Sequence, residues 1–180
     1  MKNVFSKLLC ALPFLGFASC ETTNDVNTTA VTELDLTRYA GSWYEVARYD
    51  HRFERGLVGC MAQYNINDDG TIQVLNTGYR DSLDGEFKES EGKARRPDAS
   101  KPGELEVSFF LSFYSPYKVL ELADDYRYAL VGSKNDKYLW ILSRTPQLTP
   151  ADESHLLQCA QQRGYDINKL IWVIQPEEEW

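Results

Sequence analysis

The chain has 180 residues, with 27 acidic against 19 basic side chains and a formal net charge of −8. No basic patch of any length occurs, which excludes the electrostatic footprint of a nucleic-acid binder. The length suits one compact domain with a real core, and no internal repeat, low-complexity tract or interior linker marks a second.

Residues 1–7 carry Lys2 and Lys7 and no acid, and residues 8–17 form an apolar run broken only by Pro13 and Gly16. That order describes a secretory signal, and the run falls short of the ~20 residues a bilayer span requires. It ends in Phe17-Ala18-Ser19-Cys20, which resembles a bacterial lipobox. The resemblance implies a signal peptide over residues 1–19 and acylation of Cys20; an ordinary signal peptide is the competing reading. Residues 20–32 are polar and Thr/Asn-rich, as a lipidated tether should be. Glu21 after the cysteine resembles enteric lipoproteins retained in the outer membrane, so the expected location is lipid-anchored there, facing the periplasm. Without residues 1–19 the mature chain carries 17 basic and 27 acidic side chains, a net of −10.

The domain is expected over residues 33–176, before an acidic tail at 177–180. Leu34, Leu36 and Tyr39 lie in a short helical turn that can plug one end of a barrel. Gly41 then allows a tight step into a first strand at 43–49, with Trp43 pointing inward. Strand-like runs follow at 60–66 and 71–79, joined through Asn67-Asp68-Asp69-Gly70, a strong hairpin signal. Further runs at 87–95, 104–111, 117–122, 126–131 and 137–143 are separated by short polar turns. After Arg144, Thr149 reads as an N-cap, Pro150 as the first helical position, and Gly164 as a stop. Residues 170–174 read as a short ninth strand. The expected fold is all-β: an eight-stranded up-and-down antiparallel barrel with an N-terminal 3-10 turn, one C-terminal α-helix and a ninth strand.

Three motifs in this order resemble the lipocalin family, in particular the bacterial lipoprotein branch near apolipoprotein D and the plant temperature-induced lipocalins. They are Gly41-Ser42-Trp43-Tyr44-Glu45, the Asp124-Asp125-Tyr126 turn (which lacks the family's threonine), and Arg144 at the end of the eighth strand. The resemblance implies that Gly41, Trp43 and Arg144 build the barrel floor, with the guanidinium stacked on the indole. It also implies a binding module that stores or ferries an amphipathic lipid, and the aromatic content (11 Tyr, 8 Phe, 4 Trp) favours a fatty acid or lysophospholipid.

Alternation suggests the lining. Trp43, Glu45, Ala47 and Tyr49 share one face of the first strand. Val74 and Asn76 face inward from the third, and Ser90, Gly92 and Ala94 leave room on the fourth. Leu105, Val107 and Phe109 share a face of the fifth, and Tyr117, Val119, Trp140 and Leu142 complete a mostly apolar wall. Each is equally explained as plain core, since an inward barrel position is core with or without a ligand. Arg52, Arg55 and Tyr114 lie in loops that could meet a head group or simply be solvated.

Cys60 and Cys159 are either a disulfide tying barrel to helix or two small buried thiols. His51 and His155 are too few and too far apart for a shared metal, and no phosphate loop or Ser-His-Asp constellation calls for a cofactor or a catalytic role. Two rival functions stay open: an isomerase using Cys60, and a structural surface lipoprotein with a filled barrel. Dimerisation is left open.

Overall fold

The structure is a computed structural model that describes residues 25–177. The expected signal peptide, Cys20, the rest of residues 1–24 and residues 178–180 lie outside the described residues. Eight antiparallel strands close on themselves: β1 (Gly41–Tyr49), β2 (Leu57–Ile66), β3 (Ile72–Arg80), β4 (Phe87–Arg95), β5 (Glu104–Ser108), β6 (Ser115–Leu122), β7 (Tyr128–Gly132) and β8 (Leu139–Ser143). Each strand pairs with the next, β8 pairs with β1, and β1 pairs with β2, so the barrel has no open seam in its lower half. Closure removes the free edges that an open sheet would expose.

A single turn, α1 (Leu36–Tyr39), precedes β1. It is capped by Asp35, which accepts from the Thr37 N–H at 2.8 Å. The expected 3-10 geometry is replaced here by an α turn, closed by Tyr39 and Ala40 N–H donating to the Asp35 and Leu36 carbonyls. The 3-10 turn lies instead at Ile167–Lys169, directly before β9 (Leu170–Trp172).

Helix α2 (Pro150–Gln162) packs on the outside of the barrel, with Thr149 as N-cap and Pro150 in the first turn. Leu156 and Ala160 are fully buried against the wall. Gly164 ends the helix at φ +92, a left-handed conformation glycine adopts without strain.

Two apolar clusters result. One lies inside the barrel and includes Trp43, Val74, Leu105, Val119, Val131 and Leu142. The other lies between the wall and α2 and includes Tyr44, Val46, Leu130, Ile141, Leu156 and Tyr165.

In the upper half β1 and β2 part, and the C-terminal segment fills the gap. β9 pairs with residues 47–49 of β1. The Gln175 side-chain amide donates to the Glu45 carbonyl at 2.8 Å and the Cys60 carbonyl at 2.9 Å, bridging the two strands where they separate. The fifth strand is shorter than its apolar pattern suggests. Phe109 to Leu111 leave the sheet, with Leu111 at φ +52.

Candidate functional site: the barrel interior

The floor is built by Trp43 and Arg144. The Arg144 guanidinium carbon lies 3.8 Å from the centroid of the Trp43 ring. It donates to the carbonyls of Ser42 at 2.7 Å, Arg38 at 2.8 Å, Ala40 at 3.0 Å and Tyr39 at 3.1 Å, so its charge is met by backbone dipoles. The Trp43 indole N–H donates to the Tyr39 carbonyl at 2.8 Å.

Above the floor, Tyr117 shares hydrogen bonds with Tyr39 at 2.6 Å and Tyr64 at 3.0 Å. Burial lifts all three phenols, Tyr64 to about 12, so they act as neutral hydrogen-bonding groups. The pocket among Leu36, Tyr39, Tyr64, Ile72, Leu105 and Tyr117 has room for about one water molecule. The lower barrel is therefore packed core.

The upper barrel carries charge. Arg48 turns inward, and its Nη1 donates to Glu45 Oε1 at 2.7 Å while Nη2 donates to the carbonyls of Glu54 at 2.7 Å and Leu57 at 3.1 Å. Glu54, from the loop between β1 and β2, accepts from the Trp140 indole at 3.2 Å and meets His51 Nε2 at 2.9 Å. Two buried carboxylates thus share one guanidinium. Burial, followed by the charge of Glu54, pushes the Glu45 carboxyl well above its usual range. Burial pushes Glu54 the same way, but the His51 and Trp140 hydrogen bonds and the Arg48 charge outweigh it and hold Glu54 low. Of the two carboxyls, Glu45 is the one shifted toward its protonated form and Glu54 the one shifted away from it.

The expected inward face of β1 holds only as far as Glu45. A β-bulge between Glu45 and Ala47 shifts the register against β8, and the alternation reverses. Ala47 and Tyr49 therefore pack in the outer cluster with α2, and the Tyr49 hydroxyl donates to the Asp166 carbonyl at 2.9 Å. Neither faces the lumen; Arg48 does.

The remaining lining residues divide by height. Val74, Ala94, Leu105, Val119 and Leu142 are buried in the lower cluster, with Val107, Tyr117 and Trp140 packed at its upper margin. Asn76 pairs with Ser90 across β3 and β4 in the upper half, where Ser90 is exposed and Asn76 half-buried. The Asn76 Oδ1 is buried and accepts no hydrogen bond. Gly92 does not leave free space: a Cβ there would lie 2.7 Å from the Phe109 ring, which occupies that room.

Among the loop residues, Arg55 is paired with Asp50 at 2.8 Å, Arg52 lies over the Phe53 ring, and Tyr114 lies beneath Arg95. Each is accounted for by a local partner. The disulfide alternative is overturned, because Cys60 is buried next to Arg48 inside the barrel, Cys159 sits on the outer helix, and both thiols are free. The wall itself separates them. Burial pushes the Cys60 thiol far up, away from the thiolate that nucleophilic chemistry needs. His155 does not approach His51, but it does meet Glu121 and Cys159 on the outer surface. The one-turn spacing of His155 and Cys159 carried that signal in the sequence.

Residues 34–175 match the lipocalin-like domain model. The chain is 45% identical over 163 residues to the outer membrane lipoprotein Blc of Escherichia coli K12, covering 91% of this chain and 92% of that one. It is 47% identical over 146 residues to the Blc of Vibrio cholerae, covering 81% and 85%. Insecticyanin from the tobacco hornworm Manduca sexta has the same fold, with a TM-score of 0.70, 23% identity and 87% of each chain covered. With its closed barrel, its Trp43–Arg144 floor and a family match spanning the whole described domain, the chain belongs to the lipocalin family.

Proposed function

We propose that this chain is an outer-membrane lipoprotein, held by acyl groups on Cys20 and facing the periplasm, that stores or carries a fatty acid or lysophospholipid. The names of its bacterial relatives support the location. Among the described residues no helix is long and apolar enough to cross a membrane; in this reading acyl groups on Cys20 supply the attachment.

The observation that carries the ligand reading is the division of the lumen. Its lower half is filled, whereas Ser90, Asn76 and Lys88 of the upper half keep contact with solvent. An acyl chain entering from the open end would run past Phe109 and Trp140 and stop above Tyr117. Its polar end would remain near Lys88, which shares the Ser90 face of β4 and pairs with Gly78. The unpartnered Asn76 oxygen offers an acceptor to a ligand hydroxyl.

Native mass spectrometry of the delipidated domain, exposed to fatty acids and to lysophospholipids, tests this reading. One bound lipid per chain, with a change in Trp140 emission, is the expected result. No adduct with either class would refute it. Nothing favours isomerase chemistry at Cys60: burial, followed by the charge of the neighbouring Glu45, pushes its thiol up and away from the nucleophilic thiolate.

A further inference from the structure

The chain enters the domain beside the open end of the barrel. α2 starts at the floor, where Arg127 of the β6–β7 loop donates to Asp152 at 2.7 Å. Its thirteen residues climb about 20 Å at 1.5 Å per residue. At the top, Tyr165 packs edge-on against Tyr49, the last residue of β1. The N-terminal segment descends along the same flank. Val26 packs against Gly164, the Asn27 N–H donates to the Arg163 carbonyl at 2.8 Å, and the Val31 N–H donates to Val119 before Leu34 joins the floor. Asp25 therefore stands level with the upper end of α2.

Cys20 lies five residues before Asp25, and five residues reach at most about 18 Å. That is shorter than the climb of α2. An anchor at Cys20 can hold the open end at a bilayer, but it cannot bring the floor there.

The same end exposes an apolar rim. In the β5–β6 loop Phe109 is 41% exposed, Phe110 68%, Leu111 71% and Phe113 73%, and Phe53 of the β1–β2 loop is 66% exposed. Phe110 and Phe113 stack on one another with their rings 10° apart. Leu111 holds φ +52, a conformation rare for a leucine, and so keeps this loop turned out from the sheet. The exposed apolar cluster of Phe110, Leu111 and Phe113 on one loop is the kind of surface that marks an interaction site. We propose that the open end of the barrel lies on the membrane, with Phe110, Leu111 and Phe113 inserted among the lipid acyl chains, so that ligand passes between bilayer and lumen without crossing water. This rests on the lipoprotein reading above.

The test uses the full-length protein, extracted with its acyl groups and reconstituted in phosphatidylethanolamine/phosphatidylglycerol vesicles that contain a brominated lipid. In a Cys159→Ser background, an environment-sensitive fluorophore is placed at Phe113→Cys or, on the floor hairpin, at Asp69→Cys. Quenching severalfold stronger at 113 than at 69 is the expected result. Equal quenching, or stronger quenching at 69, overturns the orientation. So does a rim shielded from lipid by a second copy of the chain. Intact mass is read first: an unacylated Cys20 refutes the lipoprotein reading and the orientation with it, whereas an acylated protein with a quenched floor refutes the orientation alone.

A separate observation concerns the outer face of α2. His155 Nε2 lies 3.6 Å from Glu121 Oε1 and 3.5 Å from Cys159 Sγ, and all three donor atoms lie within 4.8 Å of one another. Donors bound ~2.0–2.3 Å from one tetrahedral zinc ion lie about 3.4–3.6 Å apart. The geometry points to a zinc-class divalent cation site with three protein ligands and a fourth position for water. Cobalt titration of the untagged domain should give a thiolate-to-cobalt charge-transfer band at one cobalt per chain, displaced by zinc and lost in Cys159→Ser and in His155→Ala. Absence of the band in the parent protein, or its survival in Cys159→Ser, overturns the assignment.

Discussion

Arg48 reaches Glu45 at 2.7 Å inside the barrel, although three residues apart on a regular strand they would face opposite sides. The bulge between Glu45 and Ala47 brings them together, because one extra residue restores the inward direction at Arg48. Glu54 completes a network in which two carboxylates compete for one buried guanidinium.

Burial of Glu45, with the charge of Glu54 beside it, makes stability depend on pH. The raised pKa of Glu45 favours folding at low pH, since the native state holds a proton that the unfolded chain releases near 4.3, roughly the ordinary glutamate value. The contribution is lost as pH rises through the raised value. Glu45→Gln keeps an acceptor for Arg48 without the charge. Its Tm relative to the parent should therefore increase steadily from acid to neutral pH, as read by thermal unfolding in a buffer series. A constant Tm difference across that range would show that Glu45 titrates normally.

Arg144→Ala should cost about 3 kcal/mol, because the charged hydrogen bonds to the floor carbonyls and the stacking on Trp43 both disappear. Arg144→Lys should recover only part, because a single ammonium cannot lie flat on the ring and serve several carbonyls together. Urea unfolding measures both. A loss below about 1 kcal/mol for the alanine variant would mean the floor is held by α1 alone.

Ser90→Trp should block the upper lumen at a position where the native side chain is exposed and opposite Asn76. Displacement of a fluorescent fatty acid should weaken by about tenfold or more, equivalent to ~1.4 kcal/mol, with the Tm unchanged. Unchanged affinity would place the ligand elsewhere.

The mature domain lacking Cys20 should show two thiols of unequal reactivity. Cys159 should react with a disulfide reagent in the native state, and Cys60 only after unfolding, with identical counts before and after reductant. A count that rises on reduction would reveal a bond between them.

Much of the fold was legible in the chain. The Asn67–Gly70 turn, the Thr149-Pro150 helix start and the Gly164 stop are set by local backbone preferences, and each lies where those preferences put it. Strand alternation placed Val74, Ala94, Leu105 and Val119 in the interior cluster. It failed after Glu45, because a bulge leaves the residue types unchanged while reversing every side chain beyond it. It also over-extended β5, where an apolar run continues into the exposed rim. Gly92 looked like empty space, but vacancy depends on which neighbour fills it, and Phe109 does.

The sequence by itself determined the order of strands and the caps, because these follow from short-range propensity; the pairing of Trp43 with Arg144 was legible only through the family resemblance. Tertiary structure alone decided the rest: Arg48 in the lumen, Cys60 and Cys159 on opposite sides of the wall, His155 against Glu121, and the N-terminal segment rising to the open end. Barrel closure brings together residues whose separation in the chain carries no record of their distance in space.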